Sequence, residues 1–502
     1  MSAEQANVVI AGAGLAGARC AEALRAAGCR GRIVMLGDEP HAPYERPALS
    51  KDVLTGARPA AALGLRAPDF WESRRIELRT GSPVENLDLE ARQATIAGAR
   101  LGFRHLVLAT GLRARRLPAV PDGPGVHYLR TLDDAEALRR ELAPGVRLVV
   151  VGAGFVGLEV ASSAIGLGAH VTVVDPGPTP FARTLGPEVG ERLGERARAA
   201  GTELLLLRSV AAVERGPDAR PLAVELDDGS RRACDLIVVG AGAIPNTELT
   251  GGQVGLADDG GIATDASGCT DTPGIYACGD VASIRRTGEP GTLRLEHWAT
   301  AATSARAVAR AISGVPAVDD GPPFFWSDQF GWRLQAVGLP SGRSAVAALD
   351  PARDGWPDRA VRADSGRAVW AQPHEPGDDQ GARVGFAADA PALHERVRRL
   401  PFEHHTLALV HECRAHVVAD PARCRLRPFA VRRLQLGSAA GRQRGRHGRD
   451  DPRRQHAAVV LHAVARGFEP LERRQGQVDS RPDAHAERVS TNRRGRVVRP
   501  NQ

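Results

Sequence analysis

The chain of 502 residues lacks the features of several classes of protein. No apolar run reaches the ~18 residues that a membrane span requires, so we expect no membrane partner. The apolar stretch near the first residue has no cationic segment before it, and we expect no signal peptide. The seven cysteines are odd in number and form no C-x-x-C pair. Such usage is typical of a reducing compartment, so we expect a cytoplasmic protein.

Lysine and aromatic residues are also scarce. Lys51 is the single lysine beside 65 arginines, and aromatic residues make up 4% of the chain. The net charge of +7 is unevenly distributed, because residues 346–502 carry 29 arginines against 19 acidic residues while residues 1–345 are slightly acidic. With 43% apolar residues, the chain is expected to be globular and to hold two to four domains.

A glycine-rich loop follows the first apolar run. Val8–Ala11 has the length and β-branched residues of a buried parallel strand, and a helical run follows the loop. The G-x-G-x-x-G spacing permits a tight turn, close approach of a pyrophosphate and close packing of the helix, whose N-terminus offers free N–H groups to phosphates. An acidic pair stands about where a ribose ligand is expected. The residues assigned to this dinucleotide site are Gly12, Gly14, Leu15, Ala16, Gly17, Asp38 and Glu39.

The same arrangement of strand, glycine loop, helix, strand and acid occurs again about 140 residues later. Two copies in one chain predict two dinucleotide sites. Asp175 can accept hydrogen bonds from both hydroxyls of an adenosine ribose and would repel a 2′-phosphate, which favours NADH. Arg183 keeps the alternative, NADPH, open. The residues assigned to this second site are Gly152, Gly154, Phe155, Val156, Gly157, Glu159, Asp175 and Arg183.

Two further segments come close to the first loop. His41–Lys51 contains two prolines, which keep it from continuing as a regular helix. It is either a solvated turn or part of a cofactor site that uses Arg46 and Lys51, and we favour the cofactor site. A buried strand then ends in a turn of small residues that lets the backbone approach a ligand, namely Ala109, Thr110 and Gly111.

The later segments contain more candidate ligand-binding residues. A buried strand from Asp235 closes in glycines, including Gly242, and marks the return to the first domain. The strand Ile275–Ala277 runs into Gly279 and Asp280, which we place at the head of a helix, where the carboxylate can accept a hydrogen bond from a polyol. Glu296, His297 and Trp298 open another helix, and Phe324–Gln329, with Trp326, is the densest aromatic patch.

Eight motifs follow one another: Gly12-x-Gly-x-x-Gly17, Tyr44-x-Arg-Pro-x-Leu-Ser-Lys51, Ala109-Thr-Gly111, Tyr128-Leu-Arg-Thr-Leu132, Gly152-x-Gly-x-x-Gly157, Gly242-x-x-Pro-Asn246, Cys278-Gly-Asp280 and Phe325-Trp-Ser-Asp-Gln329. Their order resembles the FAD-dependent ferredoxin reductases, the NADH-linked reductases of putidaredoxin, rhodocoxin and aromatic-ring dioxygenase systems. The resemblance covers roughly residues 5–345. It is more specific than any single motif.

The resemblance implies roles for individual residues. FAD would lie across the first loop, with Arg46 and Lys51 on the flavin side, Arg130 at the phosphates and Asp280 at the ribityl chain. NADH would occupy the second loop, with Glu159 reaching toward the nicotinamide amide. Lys51 and Glu159 would be the catalytic residues, Lys51 by polarising flavin N5. The other residues assigned to the cofactor sites are Val84, Ala109, Thr110, Gly111, Gly242, Gly279, Glu296, His297, Trp298 and Trp326.

The resemblance also implies an α/β fold. It would contain two Rossmann-like dinucleotide-binding domains, the second inserted in the first, and a partial or aberrant C-terminal α+β domain. We predict an FAD-binding domain in two parts, an NADH-binding domain, an interface domain whose pattern is lost after about residue 345, and a basic tail. Their respective bounds are 1–118 with 245–322, 119–244, 323–400 and 401–502.

The implied function is transfer of electrons from NADH through flavin to a [2Fe–2S] ferredoxin that serves an oxygenase or cytochrome P450. Flavin suits this task because it accepts two electrons and releases them singly. One alternative is a related reductase for rubredoxin or another carrier. Another is a flavin- and NADH-binding protein whose basic tail binds a partner or nucleic acid. A disulfide reductase would need a cysteine pair facing the flavin, and Pro47–Val53, where such a pair usually lies, has none.

The basic tail has three possible explanations. It is a frameshifted translation of GC-rich DNA, which we favour, or a disordered extension, or a nucleic-acid-binding segment. It is rich in arginine but lacks interleaved aromatic residues, so nucleic acid is the least favoured partner. Its histidines and cysteines match no zinc spacing, and we predict no metal site.

Overall fold

The computed structural model describes residues 4–286, 291–316, 323–337, 345–348, 360–364 and 367–373. Two largely parallel sheets and one antiparallel sheet dominate these segments. Buried apolar strands alternate with helices along much of the chain, which gives the α/β architecture that the sequence predicts. The predictions made for the basic tail lie outside the described residues.

The first part of the chain builds a seven-stranded sheet. Its elements are β1 (Glu4–Ala11), α1 (Leu15–Ala26), β2 (Ile33–Leu36), α2 (Phe70–Ser73), β3 (Ile76–Arg79), β4 (Asn86–Asp88), β5 (Gln93–Ile96), β6 (Ala99–Leu108) and β7 (Leu112–Ala114). Six of the seven strands have the order β3-β2-β1-β6-β5-β4, the seventh comes from later in the chain and pairs with β6, and β7 lies outside this sheet. All four residues of β2 are buried, and each such large apolar side chain stabilises the fold by about 1.5–3 kcal/mol.

The second part builds a five-stranded parallel sheet and a small antiparallel one. Its elements are β8 (Val126–Tyr128), α3 (Leu132–Glu141), β9 (Arg147–Val151), α4 (Phe155–Gly166), β10 (His170–Asp175), α5 (Pro187–Ala199), β11 (Glu203–Leu206), β12 (Val210–Arg215), β13 (Pro221–Leu226), β14 (Arg231–Ala233) and β15 (Leu236–Val239). The parallel order is β11-β10-β9-β15-β8, and β12-β13-β14 form the antiparallel sheet.

The chain then returns to the first sheet. The elements are β16 (Ala243–Pro245), β17 (Ile262–Thr264), β18 (Ile275–Ala277), β19 (Ala282–Arg285), β20 (Thr292–Arg294) and α6 (Trp298–Ser313). β16 pairs with β7 where the chain passes between the two parts, and β18 pairs with β6. In the described segments no helix is both long enough and apolar enough to cross a membrane.

The sequence placed Gly279 and Asp280 at the head of a helix, and this prediction is wrong. They form one 3₁₀ turn, Gly279–Val281. The chain cannot continue as a helix there because β19 follows at once and pairs with β17 and β20.

The last described strands form a five-stranded antiparallel sheet. They are β21 (Phe324–Gln329), β22 (Trp332–Val337), β23 (Ala345–Ala348), β24 (Ala360–Asp364) and β25 (Arg367–Pro373). Their order is β21-β22-β25-β24-β23. The sheet therefore extends past residue 345, where the sequence pattern weakens.

The parallel strands bring distant residues to common edges. In the first sheet Ala11 pairs with Leu36 and with Leu108, and Leu108 pairs with Ala277. The loops that follow β1, β2, β6 and β18 therefore meet at one edge, as ligand-binding loops do in open α/β sheets. The second sheet aligns the ends of β9, β10 and β15 in the same way.

Candidate functional site

The first glycine loop is a close-packed turn with one open position. Gly12 has φ +116°, and a Cβ there would overlap the carbonyl oxygen of Ala109; a Cβ on Gly17 would overlap the carbonyl oxygen of Gly12. A Cβ on Gly14 would meet nothing within 4 Å. Gly14 caps α1 without a side-chain hydrogen bond, and the first turn contains no acidic residue. The helix N–H groups therefore face open space, which fits a pyrophosphate.

The second loop repeats this geometry. Gly152 has φ +112°, and its Cβ would lie 2.5 Å from the carbonyl oxygen of Gly240, while a Cβ on Gly157 would overlap the carbonyl oxygen of Gly152. Gly154 again has open space around its Cβ position and caps α4 without a side-chain hydrogen bond. The fold thus contains two open loops of the same geometry, which we call the first and second cradles.

Asp175 lies at the carboxyl end of β10, beside the second loop. Its Oδ2 accepts a hydrogen bond from the backbone N–H of Ala153 (2.6 Å) and its Oδ1 one from Gly177 (2.7 Å). These bonds fix a negative charge at the edge where an adenosine ribose would bind. Arg183 is exposed on the following loop, and Val156 at the start of α4 is 39% exposed.

The two acidic residues after β2 differ in their exposure and their contacts. Asp38 is exposed beside the first loop. Glu39 instead accepts hydrogen bonds from Tyr44 Oη (2.6 Å) and Arg46 Nη2 (2.5 Å). Arg46 also donates to the carbonyl of Arg130 (2.7 Å). Glu39 therefore anchors the segment that follows it, whereas Asp38 is the acid available to a ligand.

Arg130 and Asp280 face each other at the edge of the first sheet. Arg130 Nη2 lies 3.5 Å from Asp280 Oδ2, and Arg130 Nε donates to the carbonyl of Leu112 (3.0 Å). Burial lowers the pKa of Arg130 and raises the pKa of Asp280. The 3₁₀ turn that carries Asp280 packs over α1, because a Cβ on Gly279 would lie 2.6 Å from Cβ of Ala16. Both predicted ligands of FAD therefore lie next to the first cradle.

Lys51, which is half-buried, forms an ion pair with the buried carboxylate of Glu159. Lys51 Nζ lies 2.8 Å from Glu159 Oε2, which also accepts a hydrogen bond from Ser50 Oγ (2.5 Å). Glu159 Oε1 accepts one from Ser327 Oγ (2.6 Å). Glu159 is 7% exposed. This carboxylate therefore joins the segment after the first loop, the helix of the second loop and β21.

The helix α6 and strand β21 bring together the aromatic residues. His297 lies 4.7 Å from Phe325 and Trp298 lies 5.9 Å from Trp326, measured between ring centroids. Burial, together with the charge of Arg286, lowers the pKa of His297 to about 4, so this ring is neutral at physiological pH. Glu296 is exposed and pairs with Arg294 (2.6 Å).

Three buried polar atoms in this region have no hydrogen-bond partner among the described residues. They are His297 Nδ1, Thr300 Oγ1 and Gln329 Oε1. Orphaned polar atoms are costly unless a ligand or water satisfies them. They therefore fit a polar ring system, such as a flavin or nicotinamide, beside α6 and β21.

The remaining predicted residues take structural positions around the cradles. The backbone N–H of Ala109 donates to Ala11, and the Thr110 hydroxyl donates to the carbonyl of Asn246 (2.7 Å). Gly111 and Gly242 both have positive φ. Val84 is half-buried against the core of the first sheet. Phe155 packs between Phe181 and Phe325.

Ser50 and Ser327 lie within two of the sequence motifs, but the sequence assigned neither serine a role of its own. Ser327 stands 168 positions from Glu159 in the chain, and no spacing signals such a contact. Cys278, which belongs to the motif that ends at Asp280, contacts Cys20. This contact and burial raise the pKa of the Cys20 thiol. Both thiols are fully buried and free.

Two open glycine loops of the same geometry, linked through the ion pair of Lys51 and Glu159, are typical of an oxidoreductase that binds two nucleotides. The family model of the pyridine nucleotide-disulphide oxidoreductases matches residues 6–305. The chain therefore belongs to the pyridine nucleotide-disulphide oxidoreductase family, which confirms the resemblance and implies FAD and a nicotinamide nucleotide as cofactors.

Two relatives and one solved structure are similar to this chain over most of their own length. The chain is 39% identical to putidaredoxin reductase of Pseudomonas putida over 68% of this chain and 82% of the relative. It is 37% identical to rubredoxin-NAD(+) reductase of Ectopseudomonas oleovorans over 66% and 86%. The crystal structure of the covalent putidaredoxin reductase–putidaredoxin complex superimposes with TM-score 0.68 and 35% identity over 74% of this chain and 90% of that chain.

Proposed function

We propose that this protein is an FAD-containing reductase that takes electrons from NADH and passes them to a ferredoxin-type iron–sulfur protein serving an oxygenase or cytochrome P450. The ion pair between Lys51 and Glu159 carries the proposal, because it ties the segment after the first cradle to the helix that begins at the second. Segments that contact the two nucleotides would thus converge on one pair of charged residues. The relatives named for putidaredoxin and for a reductase–putidaredoxin complex support the same partner class.

In this reaction the residues of the chain would bind the two nucleotides and orient them. Bound FAD supplies a two-electron acceptor that can release electrons one at a time. Gly12–Gly17 would hold its pyrophosphate, Asp38 its adenosine ribose, and Arg130 and Asp280 the phosphates and ribityl chain. Lys51 would orient and polarise the flavin edge. The side chains would position the two nucleotides for hydride transfer, and none would need to act as an acid, base or nucleophile.

We propose NADH rather than NADPH as the electron donor. The carboxylate of Asp175 is held by two backbone N–H groups and so cannot easily turn away from a bound ribose. A 2′-phosphate would meet this fixed negative charge. Arg183 is exposed nearby and is the residue that would have to offset the repulsion.

The family name does not extend to disulfide chemistry in this chain. Leu49–Val53 forms one π-helical turn after Arg46–Ala48, and neither contains a cysteine. Cys20 and Cys278 contact each other inside the core of the first sheet, where substrate has no access. We therefore propose that electrons leave through a protein partner and not through a thiol pair.

Free cysteines bear on the location of the protein, and the name of one relative gives a second candidate partner. The five cysteines of the described segments are free, which supports a cytoplasmic location. Rubredoxin is the second candidate carrier, because one relative is named as a rubredoxin reductase at nearly the same identity.

The proposal is tested by the spectrum and redox response of the full-length protein. We expect a yellow protein that absorbs near ~450 nm, contains one FAD for each chain and loses this absorbance anaerobically on addition of NADH. NADPH should act far more slowly. A protein that binds no flavin after incubation with FAD, or whose flavin NADH does not reduce, would contradict the proposal.

A further inference from the structure

The two oxygens of Glu159 are held in different ways. Oε2 accepts a hydrogen bond from Ser50 Oγ and lies 2.8 Å from Lys51 Nζ, with which it forms an ion pair. Oε1 accepts from Ser327 Oγ and, within the described segments, from no other donor, so one lone pair is left. The direction of this free lone pair therefore depends on Ser327.

The hydroxyl of Ser327 has a defined donor direction. Gln329 Nε2 donates to Ser327 Oγ (3.3 Å), so the Ser327 proton is directed to Glu159. Ser327 is 1% exposed and Gln329 is 3% exposed. Such chains of buried hydrogen bonds orient each member more firmly than a single bond does.

We propose that Ser327 is a positioning residue for NADH oxidation: its hydroxyl aims Oε1 of Glu159 at the nicotinamide carboxamide while Oε2 holds Lys51. The inference rests on the proposed function, because it requires NADH in the second cradle. It gives β21, a strand of the five-stranded antiparallel sheet, a part in positioning for hydride transfer.

A second serine provides a matched control. Ser162 on α4 accepts a hydrogen bond from the backbone N–H of Phe330, at 2.7 Å. It therefore ties the same helix to the end of the same strand, one residue beyond β21, without touching Glu159. Loss of either hydroxyl removes one bond between α4 and this strand region, and only loss of Ser327 changes the carboxylate.

The first experiment compares Ser327→Ala with Ser162→Ala in anaerobic stopped flow. For Ser327→Ala we expect the limiting rate of flavin reduction by NADH to fall about ten- to 150-fold, the range for one hydrogen bond to a charged group. Ser162→Ala should stay within about twofold of wild type. Ser327→Thr keeps the hydroxyl and should restore most of the rate. Equal rates in wild type and Ser327→Ala would overturn the inference.

The second experiment needs neither cofactor nor turnover. Urea unfolding of the apoprotein is measured for Ser327→Ala, Glu159→Ala and the double variant. If the hydroxyl acts on the carboxylate, the double variant should be destabilised by less than the sum of the single effects. Additive effects would contradict the inference, even if Ser327→Ala fails to retain flavin. A wild-type protein that does not oxidise NADH would instead contradict the proposed function.

Discussion

Substitution of Gly14 by alanine tests whether Gly14 leaves room for the phosphates of FAD or has only a structural role. Gly14 has φ −77° and ψ −168°, which alanine adopts without strain, and a Cβ there meets no atom within 4 Å. The apoprotein should therefore keep its fold and gain about 0.4–1 kcal/mol from reduced freedom of the unfolded chain. In the holoprotein the same methyl group would occupy the space in front of the helix N–H groups. We expect FAD affinity to fall at least about tenfold, or about 1.4 kcal/mol.

The assay pairs urea unfolding of the apoprotein with a fluorescence titration of FAD. Gly12→Ala is the comparison, because its Cβ would overlap the Ala109 carbonyl and φ is +116°. Gly12→Ala should destabilise the apoprotein itself, whereas Gly14→Ala should lose only the flavin. If Gly14→Ala bound FAD as tightly as wild type, the loop at Gly14 would not be the phosphate site of FAD. If its apoprotein were strongly destabilised, the open space at the Cβ position of Gly14 would be wrong.

Three further predictions follow from the same structure. Gly154→Ala should keep flavin but weaken binding of NAD⁺, which cannot reduce the flavin during the titration, about tenfold in calorimetry. Unchanged binding would remove the nicotinamide nucleotide from the second loop. Lys51→Ala should slow flavin reduction by NADH about tenfold or more in stopped flow, since it removes the only cation that Glu159 contacts in the described segments; an unchanged rate would exclude a role for Lys51. Burial lowers the pKa of His297 from 6.5 to about 4, so as pH falls the unfolded apoprotein takes up a proton before the folded one does, and wild type loses stability. His297→Gln should therefore lose about 2 kcal/mol less stability than wild type between pH 7 and pH 4.5, and parallel pH profiles of the two proteins would contradict this.

The nucleotide loops were predictable from sequence because their geometry is local. Glycine spacing encodes the turn, and β-branched runs such as Leu148–Val151 encode the strand before it. That Ile275–Ala277 would form a strand inside a sheet was also predictable, because a short apolar run of this kind is stable when both of its faces are covered. The structure pairs it with β6 of the first sheet.

The contacts between segments were not predictable. Glu39 and Asp38 are adjacent acids in sequence, and only the fold shows that Tyr44 and Arg46 engage Glu39. The helix expected after Gly279 is one turn because strand pairing overrides the local preference. Ser327 reaches Glu159 across 168 residues, and a serine carries no periodic signal of such a contact.

Transfer of electrons to an iron–sulfur protein tests the account most directly. The full-length, FAD-loaded protein is mixed with NADH and a [2Fe–2S] ferredoxin, and the visible absorbance of the ferredoxin is followed anaerobically beside a parallel assay with ferricyanide. We predict that NADH reduces both acceptors and that removal of FAD abolishes both reactions. Reduction of ferricyanide without reduction of ferredoxin or rubredoxin would contradict the assigned partner. Failure with every acceptor, from protein that holds its flavin, would contradict the account as a whole.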